Sequence, residues 1–194
     1  MKLAMLGGSF NPPHKGHLAA IKTAMKSLSI KNGCFLPAKQ NPFKAGKSLP
    51  SFCQRFKDCK EFLRHNHTSK YKIFVSNFED NFEGKAKHFE TNFVLNNFVK
   101  KNPRTQIYWV MGLDCLKNFE KWGGFINFVN QFNIIIISRE NCKAKISALN
   151  CKAAKILRGN PYRGICHLKQ NYQKGLLFIN SPAVNISSTK LRGL

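Results

Sequence analysis

The chain has little negative charge: 9 Asp and Glu stand against 32 Lys and Arg, which gives a formal net charge of +23 at pH 7. Such a balance attracts polyanions, so nucleic acid, anionic lipid and nucleotide phosphates are candidate partners. The sequence also lacks an arginine-rich block, since 25 of the 32 cations are lysines spread along the chain. Lys, Asn, Ile and Phe share AT-rich codons, which offers another source of the excess. The charge is therefore compatible with an anionic substrate, and we do not expect a nucleic-acid partner.

Long apolar runs are missing as well. The purest run, Ile134–Ile137, has the length of a strand, whereas a membrane helix needs about 20 apolar residues. The apolar N-terminal run ends at Gly7-Gly8 and is far shorter than that of a signal peptide. We expect no membrane partner and a cytoplasmic location.

The seven cysteines include no Cys-x-x-Cys pair, and their odd number argues against a closed disulfide framework. The nearest approach to a metal pattern is Cys53, Cys59, His65 and His67, whose spacing fits no common zinc site. We expect reduced thiols and no metal site built from protein side chains.

Alternating strand and helix signals run through the 194 residues, with no internal repeat and no low-complexity linker. A hydrophobic content of 43% is enough for one sizeable core and excludes a disordered chain. Continuous apolar strands joined by helix-length crossovers are typical of parallel sheets covered on both faces. The sequence predicts an α/β fold with a doubly wound parallel sheet in a single domain, residues 1–194.

The periodicity places each element. Strands are predicted at Lys2–Leu6, Cys34–Pro37, Tyr71–Ser76, Gln106–Met111, Ile134–Ser138 and Leu176–Ile179. Helices are predicted at about His17–Ser29, Phe52–Leu63, Thr91–Lys101 and Asp114–Phe119, followed by a short terminal segment, Ile186–Leu194.

Eleven residues rich in Gly, Pro and His, Gly7 to His17, join the first strand to the first helix. Ligands of open parallel sheets bind beyond the carboxyl ends of the strands, where this loop lies. Glycines allow the main chain to approach a phosphate, and the following helix is expected to present unpaired N–H groups. His14 and His17 are three residues apart, so both rings lie on one side of the helix start. The string predicts a phosphate-binding loop.

A second constellation, Ile186-Ser187-Ser188-Thr189-Lys190-Leu191-Arg192, stands near the C-terminus. Three hydroxyl residues before a short helix are typical of an N-cap. A cap also presents hydroxyl and N–H groups, and the planar guanidinium of Arg192 matches the geometry of a phosphate.

Together the two strings resemble the signature pair of the nucleotidyltransferase superfamily, and the form Gly-Gly-Ser-Phe-Asn-Pro-Pro-His-x-Gly-His is most similar to bacterial nicotinate-nucleotide adenylyltransferases. The resemblance spans nearly the whole chain and implies a Rossmann-like nucleotidyltransferase fold. Further segments resemble the family's basic loop, its strand ending in Gly-x-Asp, the aromatic that follows it and a later strand ending in Arg: Gln40–Lys44, Trp109–Asp114, Lys121-Trp122 and Ile134–Arg139. Glu90 and Phe93-Val94 stand where relatives have Tyr and an Asp-Thr pair.

The resemblance implies a role for each matching residue. Catalytic roles would belong to His14, His17, Lys44 and Arg192. ATP would be held by Gly8, Ser9, Phe10, His14, His17, Gly112, Asp114, Ile186, Ser187, Ser188, Thr189 and Arg192. The acceptor nucleotide would contact Lys44, Thr91, Trp122 and Arg139.

The implied reaction joins the phosphate of nicotinate mononucleotide to the α-phosphorus of ATP, which gives nicotinate adenine dinucleotide and expels pyrophosphate. The partners would be ATP, which brings Mg²⁺, and a pyridine mononucleotide; the chain would act as a monomer or a homodimer. The second pKa of a phosphate monoester is about 6, so the nucleophile needs no general base. His, Lys, Arg and main-chain N–H groups, without a Ser–His–Asp or paired-carboxylate arrangement, suit such a reaction.

Three alternatives stay open. Nicotinamide mononucleotide differs from nicotinate mononucleotide only by an amide in place of a carboxylate. Phosphopantetheine adenylyltransferases share the two motifs but have a single proline before Thr-x-Gly-His. A basic nucleic-acid-binding module on a degenerate nucleotide fold is the third, and salt-sensitive binding to DNA or RNA would favour it.

Overall fold

The computed structural model describes residues 1–39, 49–67, 69–82, 90–138, 151–159 and 176–180. Its strands are β1 (Lys2–Gly8), β2 (Asn32–Pro37), β3 (Lys72–Val75), β4 (Gln106–Gly112), β5 (Asn133–Ser138) and β6 (Leu176–Asn180). Its α-helices are α1 (Lys15–Ser27), α2 (Phe52–His65), α3 (Thr91–Lys101), α4 (Leu113–Leu116), α5 (Phe125–Gln131) and α6 (Lys152–Gly159). Short 3₁₀ turns occur at Phe78–Asn81 and Phe119–Lys121.

The strands form one sheet in the spatial order β3-β2-β1-β4-β5-β6, and every neighbouring pair is parallel. Strand order reverses between β1 and β4, so the chain leaves these two neighbours toward opposite sides. In doubly wound sheets this reversal opens a crevice beyond the carboxyl ends of the two strands. The predicted fold class is confirmed.

In β1, β2, β4 and β5, the side chains alternate between two buried layers. In β1, Leu3 and Met5 enter one layer, which also holds residues of α3, α5 and α6. Ala4 and Leu6 enter the other layer, formed with α1 and α2. All six residues of β5, including its four isoleucines, are buried, as expected of a strand covered on both faces. The helices therefore hold both faces of the sheet.

The first layer contains a group of aromatic rings in edge-to-face contact, called here the aromatic cluster: Trp109, Phe119, Trp122, Phe125 and Phe128. Their ring centroids lie 5.0–6.5 Å apart, within the range that such pairs favour. The cluster connects β4 to the segment leading into α5.

Element boundaries differ from the sequence expectation at a few places. Helix α1 begins at Lys15 rather than near His17, because His14 provides the cap. The helix expected over Asp114–Phe119 is split into α4 and the second 3₁₀ turn. Helices α5 and α6 are not predicted by periodicity; α5 follows Gly124, whose φ is 68°, and has only seven residues. The terminal segment expected at 186–194 lies outside the described residues.

Within the described ranges, no helix has the length and apolar character needed to span a bilayer.

The close approach of Trp109 to β1 requires glycine at position 7. A β-carbon built on Gly7 would lie 2.2 Å from an atom of the indole ring. On Gly8 a β-carbon would lie 3.6 Å from the ring of Phe10, which is an ordinary contact. The indole therefore occupies the space that a side chain of residue 7 would need.

We expect Gly7→Ala to lower the free energy of unfolding by roughly 1–3 kcal/mol, the usual cost of an overpacked core. Urea unfolding measures the loss, with Gly8→Ala as the matched control of smaller effect. In a double-mutant cycle, Gly7→Ala combined with Trp109→Phe should cost less than the sum of the two changes, because the smaller ring leaves room for the methyl group. Strict additivity would contradict the assigned clash.

Candidate functional site

The predicted phosphate-binding loop lies at the switch point of the sheet. It follows Gly8 at the carboxyl end of β1, beside Gly112 at the carboxyl end of β4. The main chain at Gly8 is held on its other side, because its carbonyl accepts a hydrogen bond from Ala38 N–H at 2.9 Å. The start of the loop is thus hydrogen-bonded to the residue that follows β2.

His14 and His17 cap the start of α1 reciprocally. Nδ1 of His14 accepts a hydrogen bond from Gly16 N–H at 3.1 Å, and Nδ1 of His17 accepts one from His14 N–H at 3.2 Å. This is the geometry of a capping box, with two imidazoles in place of the usual hydroxyl and carboxylate. The spacing of three residues, seen in the sequence, makes the reciprocal pair feasible.

The two caps assign the tautomers of both rings. A nitrogen that accepts a hydrogen bond carries no proton, so in the neutral imidazole the proton is on the other nitrogen, Nε2. Each ring therefore has Nε2 as its donor atom. Two N–H donors of this kind suit the oxygen atoms of a phosphate.

Ring packing fixes the direction of both histidines. The two imidazoles are stacked, with centroids 3.7 Å apart and planes inclined by 26°. The ring of Phe10 lies 4.9 Å from that of His17 and stacks on Phe35 at 4.8 Å. His14 is buried and His17 half-buried. Rotation of either imidazole would break a cap and a ring contact together.

The expectation that α1 presents unpaired N–H groups is wrong for two residues of its first turn. Gly16 N–H donates to the His14 ring, and His17 N–H donates to the His14 carbonyl at 2.9 Å. These amides are engaged in the cap itself.

Arg55 of α2 binds the main chain of the loop at Ser9. None of the functional motifs in the sequence includes this residue. Its side chain is 2% exposed, and its guanidinium donates to four main-chain carbonyls. The acceptors are Ser9 at 2.9 Å, Ala38 at 2.7 Å, Lys39 at 3.3 Å and Pro50 at 3.0 Å. The available signal was its spacing: Arg55 lies three residues after Phe52 and four before Cys59, which places a charged residue on the same side of the predicted helix as two apolar ones.

Glu79 binds the main chain of Lys39, as Arg55 does. It is 5% exposed and accepts a hydrogen bond from Lys39 N–H at 2.8 Å. Burial raises the pKa of the Glu79 carboxyl from 4.5 to about 7, although the Lys39 N–H bond and the charge of Arg55 act in the opposite direction. Burial also lowers the pKa of the Arg55 guanidinium, which stays protonated because its ordinary pKa is so high.

Gly112 and Asp114, the pair expected near a ribose, are adjacent in space. The Asp114 carboxylate folds back on Gly112, where a β-carbon would lie 2.3 Å from Oδ1. Asp114 is exposed in the first turn of α4. A side chain at position 112 would displace this carboxylate from the end of β4.

Thr91 and Trp122, the residues expected at the acceptor, lie on elements that are packed together. The carboxylate of Glu90, which precedes Thr91, rests on Gly123, and the side chain of Asn92 rests on Gly124. Trp122 is half-buried and contacts Phe119 at 5.0 Å and Trp109 at 6.5 Å between ring centroids. Through Trp109, which covers Gly7, Trp122 is connected to the start of the loop.

The described structure therefore brings together nine of the predicted residues around one edge of the sheet: Gly8, Ser9, Phe10, His14, His17, Thr91, Gly112, Asp114 and Trp122. The others lie outside the described residues: Lys44, Arg139, Ile186, Ser187, Ser188, Thr189 and Arg192.

Cysteines in the described ranges divide by burial. Burial raises the pKa of the Cys34 thiol strongly and that of Cys59 to about 12. Cys53 and Cys115 are exposed, and none of the five cysteines in the described ranges forms a disulfide bond. In the part of the chain that the structure describes, no group of three or more His, Cys, Asp or Glu side chains is placed to hold a metal ion.

Known proteins share both the sequence pattern and the fold. The model of the family described as "Cytidylyltransferase-like" matches residues 5–194. A "Probable nicotinate-nucleotide adenylyltransferase" of Pelagibacter ubique is 34% identical over 98% of this chain and 92% of its own. A protein of the same name from Clostridium botulinum is 28% identical over 97% of this chain and 84% of its own. Structures of the Plasmodium falciparum nicotinic acid mononucleotide adenylyltransferase, complexed with APC and with NaAD, give TM-scores of 0.67 and 0.66 at 21% identity, covering 99% of this chain and 82% of theirs.

The raised pKa of Glu79 predicts a pH-dependent stability. Because the folded carboxyl binds its proton more tightly than the unfolded one, its contribution is fully present below about pH 4.5 and is lost as the pH rises through about 7. A shift of this size corresponds to on the order of 3 kcal/mol, at about 1.4 kcal/mol per unit. Urea unfolding of the wild type and of Glu79→Gln between pH 5 and 8 should show the wild type losing stability relative to the variant as the pH rises.

The matched control is Glu61→Gln, which neutralises an exposed glutamate of α2. A difference between wild type and Glu79→Gln that is constant across this pH range would show that ionisation of Glu79 is not coupled to folding.

Proposed function

This chain belongs to the cytidylyltransferase-like family and to the nicotinate-nucleotide adenylyltransferases, and we propose that it transfers the adenylyl group of ATP to nicotinate mononucleotide. The products are nicotinate adenine dinucleotide and pyrophosphate. The geometry that supports this most directly is the pair of stacked, reciprocally capped imidazoles at the switch point of the sheet. Their tautomers give two Nε2–H donors at the place where doubly wound folds bind phosphates.

The reaction asks for positioning and charge stabilisation. An oxygen of the mononucleotide phosphate forms a bond to the α-phosphorus of ATP, and the bond from that phosphorus to the bridging oxygen of the β-phosphate breaks. The electron pair leaves with pyrophosphate. Since the attacking phosphate is largely ionised at neutral pH, no side chain has to remove a proton. Donors that stabilise charge building on the leaving group lower the barrier.

In this proposal His14 and His17 donate to the ATP phosphates, together with main-chain groups of Gly8, Ser9 and Phe10. Gly112 and Asp114 lie near a ribose, and Thr91 and Trp122 hold the pyridine ring. The remaining assignments follow the family motifs and complete the proposal: Lys44, Arg139, Ile186, Ser187, Ser188, Thr189 and Arg192.

Mg²⁺ enters the proposal as part of the substrate MgATP. This ion prefers phosphate oxygens and keeps several of its waters, so it demands few protein ligands. We further propose that residues 1–194 act as a single catalytic domain in the cytoplasm, as a monomer or a homodimer.

The direct test incubates the protein with MgATP and one mononucleotide at a time, and measures pyrophosphate and dinucleotide. Nicotinate mononucleotide should give both products. Nicotinamide mononucleotide is the second arm, because the carboxylate of Glu90 lies against Gly123, next to Trp122, and a negative charge there favours an amide over a carboxylate. Phosphopantetheine is the third arm, and absence of pyrophosphate in all arms would refute the proposal.

We expect His17→Ala to lower turnover by about 10²–10³-fold, the usual loss when a donor to developing charge is removed. Loss of its cap should cost only about 1 kcal/mol of stability, so the variant remains folded. Steady-state rates and thermal melts measure the two effects. His65→Ala, an exposed histidine on α2, is the matched control; near-normal turnover of His17→Ala would remove His17 from the site.

Trp122→Ala should affect the two substrates unequally. Stacking of a base on an aromatic ring is worth about 1–3 kcal/mol, so the KM for the mononucleotide should rise roughly 5- to 150-fold. The KM for ATP should stay within about twofold of the wild-type value, since Trp122 is assigned to the acceptor alone. Trp122→Phe, which keeps a ring in the aromatic cluster, is the control. Equal losses for both substrates would place Trp122 outside the acceptor pocket.

A further inference from the structure

The four carbonyls bound by Arg55 belong to three segments that meet beneath the phosphate loop. Ser9 begins the loop, Ala38 and Lys39 follow β2, and Pro50 precedes α2. The planar guanidinium has five N–H donors in a fixed arrangement, which lets one side chain bind several carbonyls at once. Removing such a charge from water is costly unless it is fully hydrogen-bonded. An aliphatic residue would fill the space at a lower cost but would bind none of these carbonyls.

The bond to Ser9 fixes the orientation of one peptide group. Arg55 Nη1 donates to the Ser9 carbonyl at 2.9 Å. The peptide that joins Ser9 to Phe10 is planar and trans, so its C=O and N–H point in opposite directions. A carbonyl held toward the buried guanidinium therefore turns the N–H of Phe10 to the other side of the loop.

The conformation of Phe10 needs such a restraint. Its φ is 45°, in the left-handed region that a bulky residue seldom adopts. Conformations of this kind persist where the surrounding structure over-determines them. On one side of Phe10 the ring is buried against Phe35 and His17. On the other, Arg55 holds the peptide that precedes it.

We propose that Arg55 is the positioning residue of the phosphate loop: by binding the Ser9 carbonyl, it directs the Phe10 N–H at the triphosphate of ATP. This inference rests on the proposed function and deepens it. Arg55 touches neither substrate. It acts through the Ser9–Phe10 peptide, and its effect falls on ATP rather than on the acceptor.

The experiment compares Arg55→Lys, which keeps the charge but loses the planar fork, with Arg55→Met, which loses both. Arg64→Lys is the matched control, because Arg64 lies on the same helix, is exposed and contacts Glu61 and His65 of that helix. Loss of a hydrogen bond from a charged donor corresponds to roughly a tenfold change or more. For Arg55→Lys we expect the KM for ATP to rise about tenfold with the KM for the mononucleotide within about twofold.

A residue with a merely structural role would lower the melting temperature and the active fraction without separating the two KM values. Equal changes in both KM values, or none, in a folded Arg55→Lys variant would therefore overturn the proposal. Arg55→Met should show the same selectivity with a larger effect.

A second measurement does not depend on the variants folding. In the wild type, the amide resonance of ¹⁵N-labelled Phe10 should shift when MgATP is added and should stay in place when the mononucleotide is added alone. If MgATP shifts the amide resonances of other loop residues and leaves that of Phe10 unchanged, the proposal is also overturned. Because this readout needs binding and no turnover, it separates failure of the positioning role from failure of the proposed reaction.

Discussion

Two hydrogen bonds, each from a main-chain N–H group to an imidazole Nδ1, determine the orientation and the tautomer of the two histidines at the switch point of the sheet. They begin α1, and they also determine which nitrogen of His14 and His17 carries the proton. Helix starts are usually capped by a side-chain oxygen of Ser, Thr, Asp or Asn. With imidazoles the same cap leaves a donor on the far side of each ring. In the proposed function, helix capping and phosphate binding are thus carried by the same two side chains.

A buried polar layer supports this arrangement from below. Arg55 donates to the carbonyl of Lys39, and Glu79 accepts from the N–H of the same residue. Arg55 also donates to the carbonyl of Ser9. Both side chains are almost fully buried, so their polar atoms have to be satisfied by main-chain groups. Hydrogen bonds from two buried ionisable residues therefore support this loop, beneath a surface that we propose binds an anion.

Sequence reasoning predicted the sheet well, because each core strand is a continuous apolar run with helix-length connections. It also placed the histidine pair, since a spacing of three residues at a helix start determines which groups can meet. It missed Arg55 and Glu79, because their partners are carbonyl and N–H groups of distant residues, which no residue pattern encodes. Helix α5 was missed for a related reason: it is short, and its start depends on Asn92 of α3 packing against Gly124.

The aromatic cluster has a spectroscopic consequence. The chain has two tryptophans, Trp109 and Trp122, and both belong to this cluster, with ring centroids 6.5 Å apart. Trp109 is almost fully buried and Trp122 is half-buried, and both indoles lie beside β4 and α5. Intrinsic indole emission from this protein is consequently a local signal. It reports events in the layer that contains α3, α5 and α6 and does not report on the layer formed with α1 and α2.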